Sequence, residues 1–278
     1  MNEQCVHLNG ELVPEIKAQI SMFDRGFTLA DGVFETMVSR NGNLFRLNQH
    51  MDRLDKGCDL LGIQRLNRRD TKQKILELLH TNKLTSAVIR LTVTRGVDRQ
   101  RGLTIHDPVV PTILIRTHLR STHKIEGISL SVSSIARNEG SPISGIKSIS
   151  YSDSIVAKKL ASEEGFDDAL LLNNLGNVAC ATSSNFFVTQ DNTIITPPLR
   201  DGVLGGIIRG VIFEISSKFG LKIIERSFKP NFDAYEESFI TNVVTGIVPV
   251  VAIDKVAIGS GHIGPIVKRL SQTINSEM

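Results

Sequence analysis

Two short alternating stretches open the chain, each broken by an Asn-Gly pair. Val6-His7-Leu8 and Glu11-Leu12-Val13 flank Asn9-Gly10; Val33 to Arg40 and Asn43 to Phe45 flank Asn41-Gly42. Asn-Gly suits the left-handed backbone of a tight turn, so both read as β-hairpins. The period then lengthens. Met51, Leu54, Cys58 and Leu61 recur at spacings of three and four, which predicts a helix capped by Asn48 and running to about Gly62. A second amphipathic helix is predicted over Asp70 to Leu79, and strands over Ala87 to Thr94 and Thr112 to Ile115. These elements make a first α/β unit, residues 1–117.

Residues 118–127 are polar and basic and read as an interdomain linker. Strands are then predicted over 128–134, 169–173, 185–189 and 239–241, and helices over 152–164, 206–219 and 266–274. The second unit, residues 128–278, is therefore mixed and β-rich. No internal repeat or low-complexity segment is visible.

Composition changes this picture little. Of 278 residues 41% are hydrophobic, enough for a real core, and the net charge of +3 is spread along the chain. That spread argues against nucleic acid or a membrane surface as partner. His118, Arg120, His123 and Lys124 form a small basic cluster that reads as solvated linker. No apolar run reaches transmembrane length, and no secretory leader is visible at Met1-Asn2-Glu3-Gln4. Cys5, Cys58 and Cys180 are far apart and odd in number, which suits a reducing cytoplasm better than a disulfide framework. No Cys or His pair has metal-ligand spacing, so no metal is expected.

Two motifs fail on context. Gly259-Ser260-Gly261-His262-Ile263-Gly264 spells the dinucleotide fingerprint, but too little chain follows to complete the helix, strand and acidic residue that fold needs. It reads as a turn before the last helix. Gly140 to Ser148 nearly spells a phosphate loop, but Ile146 separates Gly145 from Lys147 and the register fails.

Lys147 is more informative. It stands in Ile146-Lys147-Ser148-Ile149, between a Gly/Pro-rich loop and a predicted helix, with apolar neighbours. Such surroundings disfavour an ammonium ion, which suits a Schiff-base lysine. Thirty residues on, Gly176-Asn177-Val178-Ala179-Cys180-Ala181-Thr182-Ser183-Ser184-Asn185 places small polar residues between the apolar runs 169–172 and 186–188. Such a stretch lets a ligand lie close against the backbone. Leu204-Gly205-Gly206-Ile207-Ile208-Arg209 opens a helix with glycines, leaving free N–H groups and a favourable dipole for an anion. His50-Met51-Asp52-Arg53-Leu54 carries an arginine suited to a bidentate phosphate contact.

Taken with Asp24-Arg25-Gly26-Phe27, Ala30-Asp31-Gly32-Val33-Phe34-Glu35-Thr36 and Thr94-Arg95-Gly96, these segments resemble the class IV family of pyridoxal-phosphate (PLP) enzymes, in order and over nearly the whole chain. The resemblance implies an α/β fold of type IV, like that of D-amino acid aminotransferase. It has a small N-terminal α/β domain, a larger C-terminal pseudo-barrel, and PLP in the cleft between them. It implies a homodimer. Lys147 would bind PLP and shuttle the substrate proton. Arg53, Tyr151, Cys180, Ser183, Ser184, Asn185, Leu204, Gly206, Ile207, Ile208 and Thr245 would line the cofactor, and Phe34, Thr36 and Arg101 the substrate.

The chain departs from the family pattern at three cofactor contacts. The glutamate that pairs with the pyridine nitrogen is replaced by Cys180, and threonines expected at Ile208 and near Val244 are absent. A hydrogen bond to a charged group contributes about 1.5–3 kcal/mol, so two lost contacts would weaken cofactor binding roughly a hundredfold unless a neighbour such as Thr245 compensates. Three readings follow. The first is a lyase of the aminodeoxychorismate type, forming 4-aminobenzoate and pyruvate for folate synthesis; aromatisation drives that step and tolerates a weaker electron sink. The second is an aminotransferase for D-amino or branched-chain amino acids. The third is a catalytically silent relative with impaired PLP binding.

Overall fold

The computed structural model describes residues 4–106, 109–121 and 127–277. Its contacts divide the chain into two units. One comprises residues 1–121 with 146–150 and 278; the other comprises 122–145 with 151–277. Residues 122–126, including His123 and Lys124 and half of the predicted linker, lie outside the described residues, as do Met1 to Glu3.

In the first unit both predicted hairpins form. β1 (Cys5–Leu8) pairs with β2 (Glu11–Pro14), and β3 (Gly32–Arg40) with β4 (Asn43–Leu44). Their turns place Asn9 and Gly10 at φ 52° and 92°, and Asn41 and Gly42 at 51° and 76°. Both central residues thus adopt the left-handed conformation that Asn-Gly tolerates. Between the hairpins lies a short helix, α1 (Arg25–Leu29), whose N-cap Asp24 accepts from the Gly26 amide. β5 (Ser86–Thr94) and β6 (Thr112–Leu119) complete an antiparallel sheet in the order β2-β1-β6-β5-β3-β4.

Two helices follow β4, α2 (Leu47–Leu61) and α3 (Arg68–Thr81). The start of α2 departs from expectation. Arg46, not Asn48, is the N-cap, at φ 53° with no side-chain cap; Asn48 lies inside the first turn. The left-handed step at Arg46 starts the helix before Asn48 is reached. The predicted stripe is otherwise realised, since Met51, Leu54 and Cys58 are buried and α2 lies on β3.

The second unit holds β7 (Ile128–Val132), α4 (Ser152–Glu163), β8 (Asp168–Leu172), β9 (Val178–Ala181), β10 (Asn185–Gln190) and β11 (Thr193–Thr196). They are followed by α5 (Ile207–Ile215), β12 (Lys222–Glu225), β13 (Glu237–Asn242), β14 (Gly246–Ile253), β15 (Val256–Ala257) and α6 (Pro265–Glu277). The sheet runs β12-β11-β10-β13-β14-β7-β8-β9, and β9 returns to β10 through Cys180 and Asn185. That last pairing closes six strands into a ring. Leu130, Leu170, Val178, Phe186, Ile240 and Val250 fill its core. The glycine-rich run from Gly259 is a turn before α6, with Gly259 and Gly261 at positive φ. The expected mixed α/β fold of type IV is the fold observed.

Candidate functional site

Residues 146–150 belong to the first unit, where they run as a short edge segment beside β3. The Phe34 amide donates to the Lys147 carbonyl at 2.9 Å and the Ile149 amide to the Gly32 carbonyl at 3.1 Å. Backbone pairing therefore fixes where the lysine side chain starts. Lys147 Nζ lies 4.4 Å from the centroid of the Phe34 ring. Arg90 Cζ lies 3.7 Å from the same centroid. A ring face attracts cations, and here one ring holds two.

Strand alternation explains the grouping. Phe34 and Thr36 share one face of β3, and Thr36 stands opposite Arg90, which stands opposite Arg116 on β6. Glu35 and Met37 point to the other face, beneath α2. There the Glu35 carboxylate accepts Arg53 Nε and Nη2, both at 2.7 Å, and His50 Nδ1 at 2.6 Å. Glu35 and His50 are fully buried. Burial alone would raise the Glu35 carboxyl; the hydrogen bond and charge of Arg53, aided by His50, hold it below the usual carboxylate range. His50 Nε2 is buried without a hydrogen-bond partner among the described residues.

The structure thus groups Phe34, Lys147 and Thr36 and places Arg53 across the same strand. Arg101 stands apart: it is exposed on the loop after β5 and makes no hydrogen bond or ion pair among the described residues. Arg95 of the same motif is bound by Asp31 and by the carbonyls of Leu61 and Gly62.

In the second unit Cys180 lies opposite Leu171 on one side and Asn185 on the other. Asn185 Nδ2 donates to the Leu204 carbonyl at 2.8 Å, anchoring the loop into α5. Gly206 is the N-cap of α5, and no side chain caps it. A Cβ at Gly206 would stand 1.9 Å from Asn185 Oδ1, so any larger residue must displace that side chain. The amides that follow, of Ile207 and Ile208, open the helix, while the Ile208 side chain is buried in the core. An uncapped glycine start on a nine-residue helix fits a phosphate group.

Other members of the expected set are placed differently. Asn242 Oδ1 accepts the amides of Val244 and Thr245, both at 2.9 Å, and its Nδ2 donates to Ser184 Oγ at 3.1 Å. That turn's amides are thus directed to a side chain. Ser183 is exposed at the tip between β9 and β10, and Tyr151 is the N-cap of α4. Burial pushes the Cys180 thiol up, partly offset by the charge of Arg137 and aided by that of Asp168. A thiol stands where the resemblance implies a carboxylate.

Sequence reasoning missed Arg90, Glu35, His50, Arg137 and Asn242. For Arg90 a signal existed: it is a charged residue inside the apolar strand Ala87-Val88-Ile89-Arg90-Leu91.

Comparison with known proteins gives the family and the fold. The family model described as amino-transferase class IV matches residues 32–253. A protein of Methanocaldococcus jannaschii, provisionally named a branched-chain-amino-acid aminotransferase, is 34% identical over 96% of this chain and 94% of its own length. The D-alanine aminotransferase of Bacillus licheniformis is 29% identical over 98% and 96%. Among solved structures, the branched-chain aminotransferase of Thermoproteus uzoniensis with norvaline superposes with a TM-score of 0.91 at 26% identity, covering 98% of this chain and 93% of that one. A Legionella pneumophila structure provisionally titled 4-amino-4-deoxychorismate lyase shares the fold, with a TM-score of 0.86 at 24% identity over 95% and 97%.

Proposed function

Because the chain belongs to the class IV aminotransferase family, whose cofactor is pyridoxal 5'-phosphate, we propose that it is an aminotransferase acting on an α-amino acid with an apolar side chain. The observation that carries this reading is the Phe34 ring with Lys147 Nζ at 4.4 Å and Arg90 Cζ at 3.7 Å. A reactive amine and a guanidinium on one ring suit a substrate that presents a carbon to be deprotonated and a carboxylate to be held. Arg116, opposite Arg90, adds positive charge to that strand face, though Glu15 pairs with it at 3.2 Å. Among the named relatives, those called branched-chain or D-alanine aminotransferases support this reading over the lyase first expected.

Bound cofactor would accept the amino group and delocalise negative charge from the substrate Cα. The chain's own residues would do the rest. Lys147 would hold the cofactor and carry the Cα proton on Nζ. Arg53, fixed by Glu35, would hold the phosphate. Arg90 would orient the substrate carboxylate, and Phe34 would keep water from the lysine face. The lyase stays as a second reading on one observation, the neutral thiol at Cys180, because product aromatisation tolerates a weaker electron sink.

A homodimer belongs to the same proposal. Exposed Ile16, Met22, Phe27 and Leu103 on the first unit give it an apolar surface for a partner to cover. A cytoplasmic setting is supported by three free cysteines, and no helix among the described residues is long and apolar enough to cross a membrane.

The test is a comparison of activities on PLP-loaded protein. Keto-acid-dependent amino transfer from leucine, valine or D-alanine is expected, with the apolar side chains preferred. Pyruvate release from aminodeoxychorismate without amino transfer would replace this reading by the lyase. Neither activity would leave only a silent relative.

A further inference from the structure

Glu35, His50 and Arg53 bind one another beneath α2, and they differ in what can reach them. The Glu35 carboxylate and the His50 ring are fully buried, while Arg53 keeps 12% of its side chain exposed. A ligand can therefore touch Arg53 but neither of the other two. Glu35 Oε1 accepts Arg53 Nε at 2.7 Å, and Oε2 accepts both Arg53 Nη2 at 2.7 Å and His50 Nδ1 at 2.6 Å. The carboxyl is held below its usual range, so it is ionised and only accepts. The His50 proton therefore sits on Nδ1. Nε2 is buried with no hydrogen-bond partner among the described residues, so the ring's one directed bond there is the bond to Glu35.

The two bonds to Glu35 do different work. Arginine ends a long flexible stem, so a glutamate–arginine pair can swing as a body. Histidine is short and stiff, and His50 lies one turn before Arg53 on the same face of α2. Its bond gives the carboxylate a second, rigid anchor and so fixes the plane from which the arginine fork projects. α2 itself is closely seated. A Cβ on Gly57 would stand 2.8 Å from Val33 Cγ1 and 3.7 Å from Ile146 Cβ. The helix that carries His50 and Arg53 thus packs against both the start of β3 and the residue before Lys147. We propose that His50 is a positioning residue for the cofactor phosphate: it pins Glu35, and Glu35 aims Arg53. It touches neither cofactor nor substrate and moves no proton in the reaction.

This inference rests on the proposal that Arg53 holds the phosphate, and its test separates the two. The full chain, freed of cofactor and checked for folding by circular dichroism, is titrated with PLP and with pyridoxal, which lacks the phosphate. Both dissociation constants are read from the saturable visible band. Their ratio measures phosphate recognition, which a general loosening of the fold does not change selectively. In Arg53→Met the preference for PLP should fall about a hundredfold. In His50→Leu it should fall about tenfold, the scale of a charged hydrogen bond weakened rather than removed, with pyridoxal affinity as in the wild type. His50→Asn should keep the wild-type preference, because an asparagine Nδ2 donates from the position of the ring Nδ1. A folded His50→Leu protein with the wild-type preference, while Arg53→Met loses it, overturns the inference and leaves the phosphate reading standing. So does a His50→Asn protein that loses the preference as fully as His50→Leu. Where His50→Leu does not fold, His50→Met takes its place; failure of both to fold makes His50 a structural residue and overturns the inference. An Arg53→Met protein that prefers PLP as the wild type does overturns the phosphate reading and the inference with it.

Discussion

The Glu35 carboxylate takes both the Nε and the Nη2 donors of Arg53 at 2.7 Å, on the face of β3 opposite Phe34. One strand thus carries the arginine's anchor and the lysine's aromatic neighbour at adjacent positions. Replacing Glu35 by Gln leaves a poorly compensated cation under α2. Removing one partner of a buried pair costs about 3–5 kcal/mol, so Glu35→Gln is expected to lower the melting temperature sharply. The folded carboxyl is held below its ordinary range, so its contribution is present above that range and is lost as pH falls toward the folded value. Melting curves from neutral pH downward should show an acid limb that is flatter in Glu35→Gln. Parallel curves would remove Glu35 from that role.

Arg90 tests the substrate side. Arg90→Met keeps length and apolar contact with Phe34 but removes the charge. If Arg90 holds a carboxylate, kcat/KM should fall about tenfold to a hundredfold, matching a charged hydrogen bond of about 1.5–3 kcal/mol. The visible spectrum of the loaded protein should stay as it was. Unchanged kinetics would assign Arg90 to the Phe34 contact alone.

Gly206 tests the α5 entrance. Its Cβ would stand 1.9 Å from Asn185 Oδ1, so Gly206→Ala must displace that side chain and with it the bond to the Leu204 carbonyl. Overpacking of this kind costs on the order of 1–3 kcal/mol. PLP affinity, measured by fluorescence or absorbance titration, is expected to drop in Gly206→Ala and to recover in part when Asn185→Ala is added. Affinity equal to wild type in the single variant would show that this entrance does not hold the phosphate.

Much of this fold was legible where local chemistry decides. Asn-Gly turns gave both hairpins, and period-three-and-four spacing gave α2 and α3. Reading failed where the backbone acts without a side-chain signal. Arg46 starts α2 through a left-handed step, with no cap residue to announce it. Val178-Ala179-Cys180-Ala181 is too short and small to announce a strand, yet pairing on both sides makes it β9. β14 was missed because Pro249 interrupts its apolar run, although the strand accommodates it opposite Phe239. At the site, motif order points to Lys147 and Arg53, but not to what touches them. Glu35 and Arg90 are met only through strand register, which sequence spacing does not supply.

The central claim is that Lys147 binds pyridoxal phosphate covalently, and a visible absorption spectrum tests it most directly. PLP is titrated into the wild type and into Lys147→Ala, with folding of both checked by circular dichroism. The wild type should develop a saturable, lysine-dependent visible band that an amino acid substrate bleaches, and Lys147→Ala should show only the spectrum of free cofactor. A wild type whose spectrum at saturating PLP equals that of the folded Lys147→Ala protein would contradict the account.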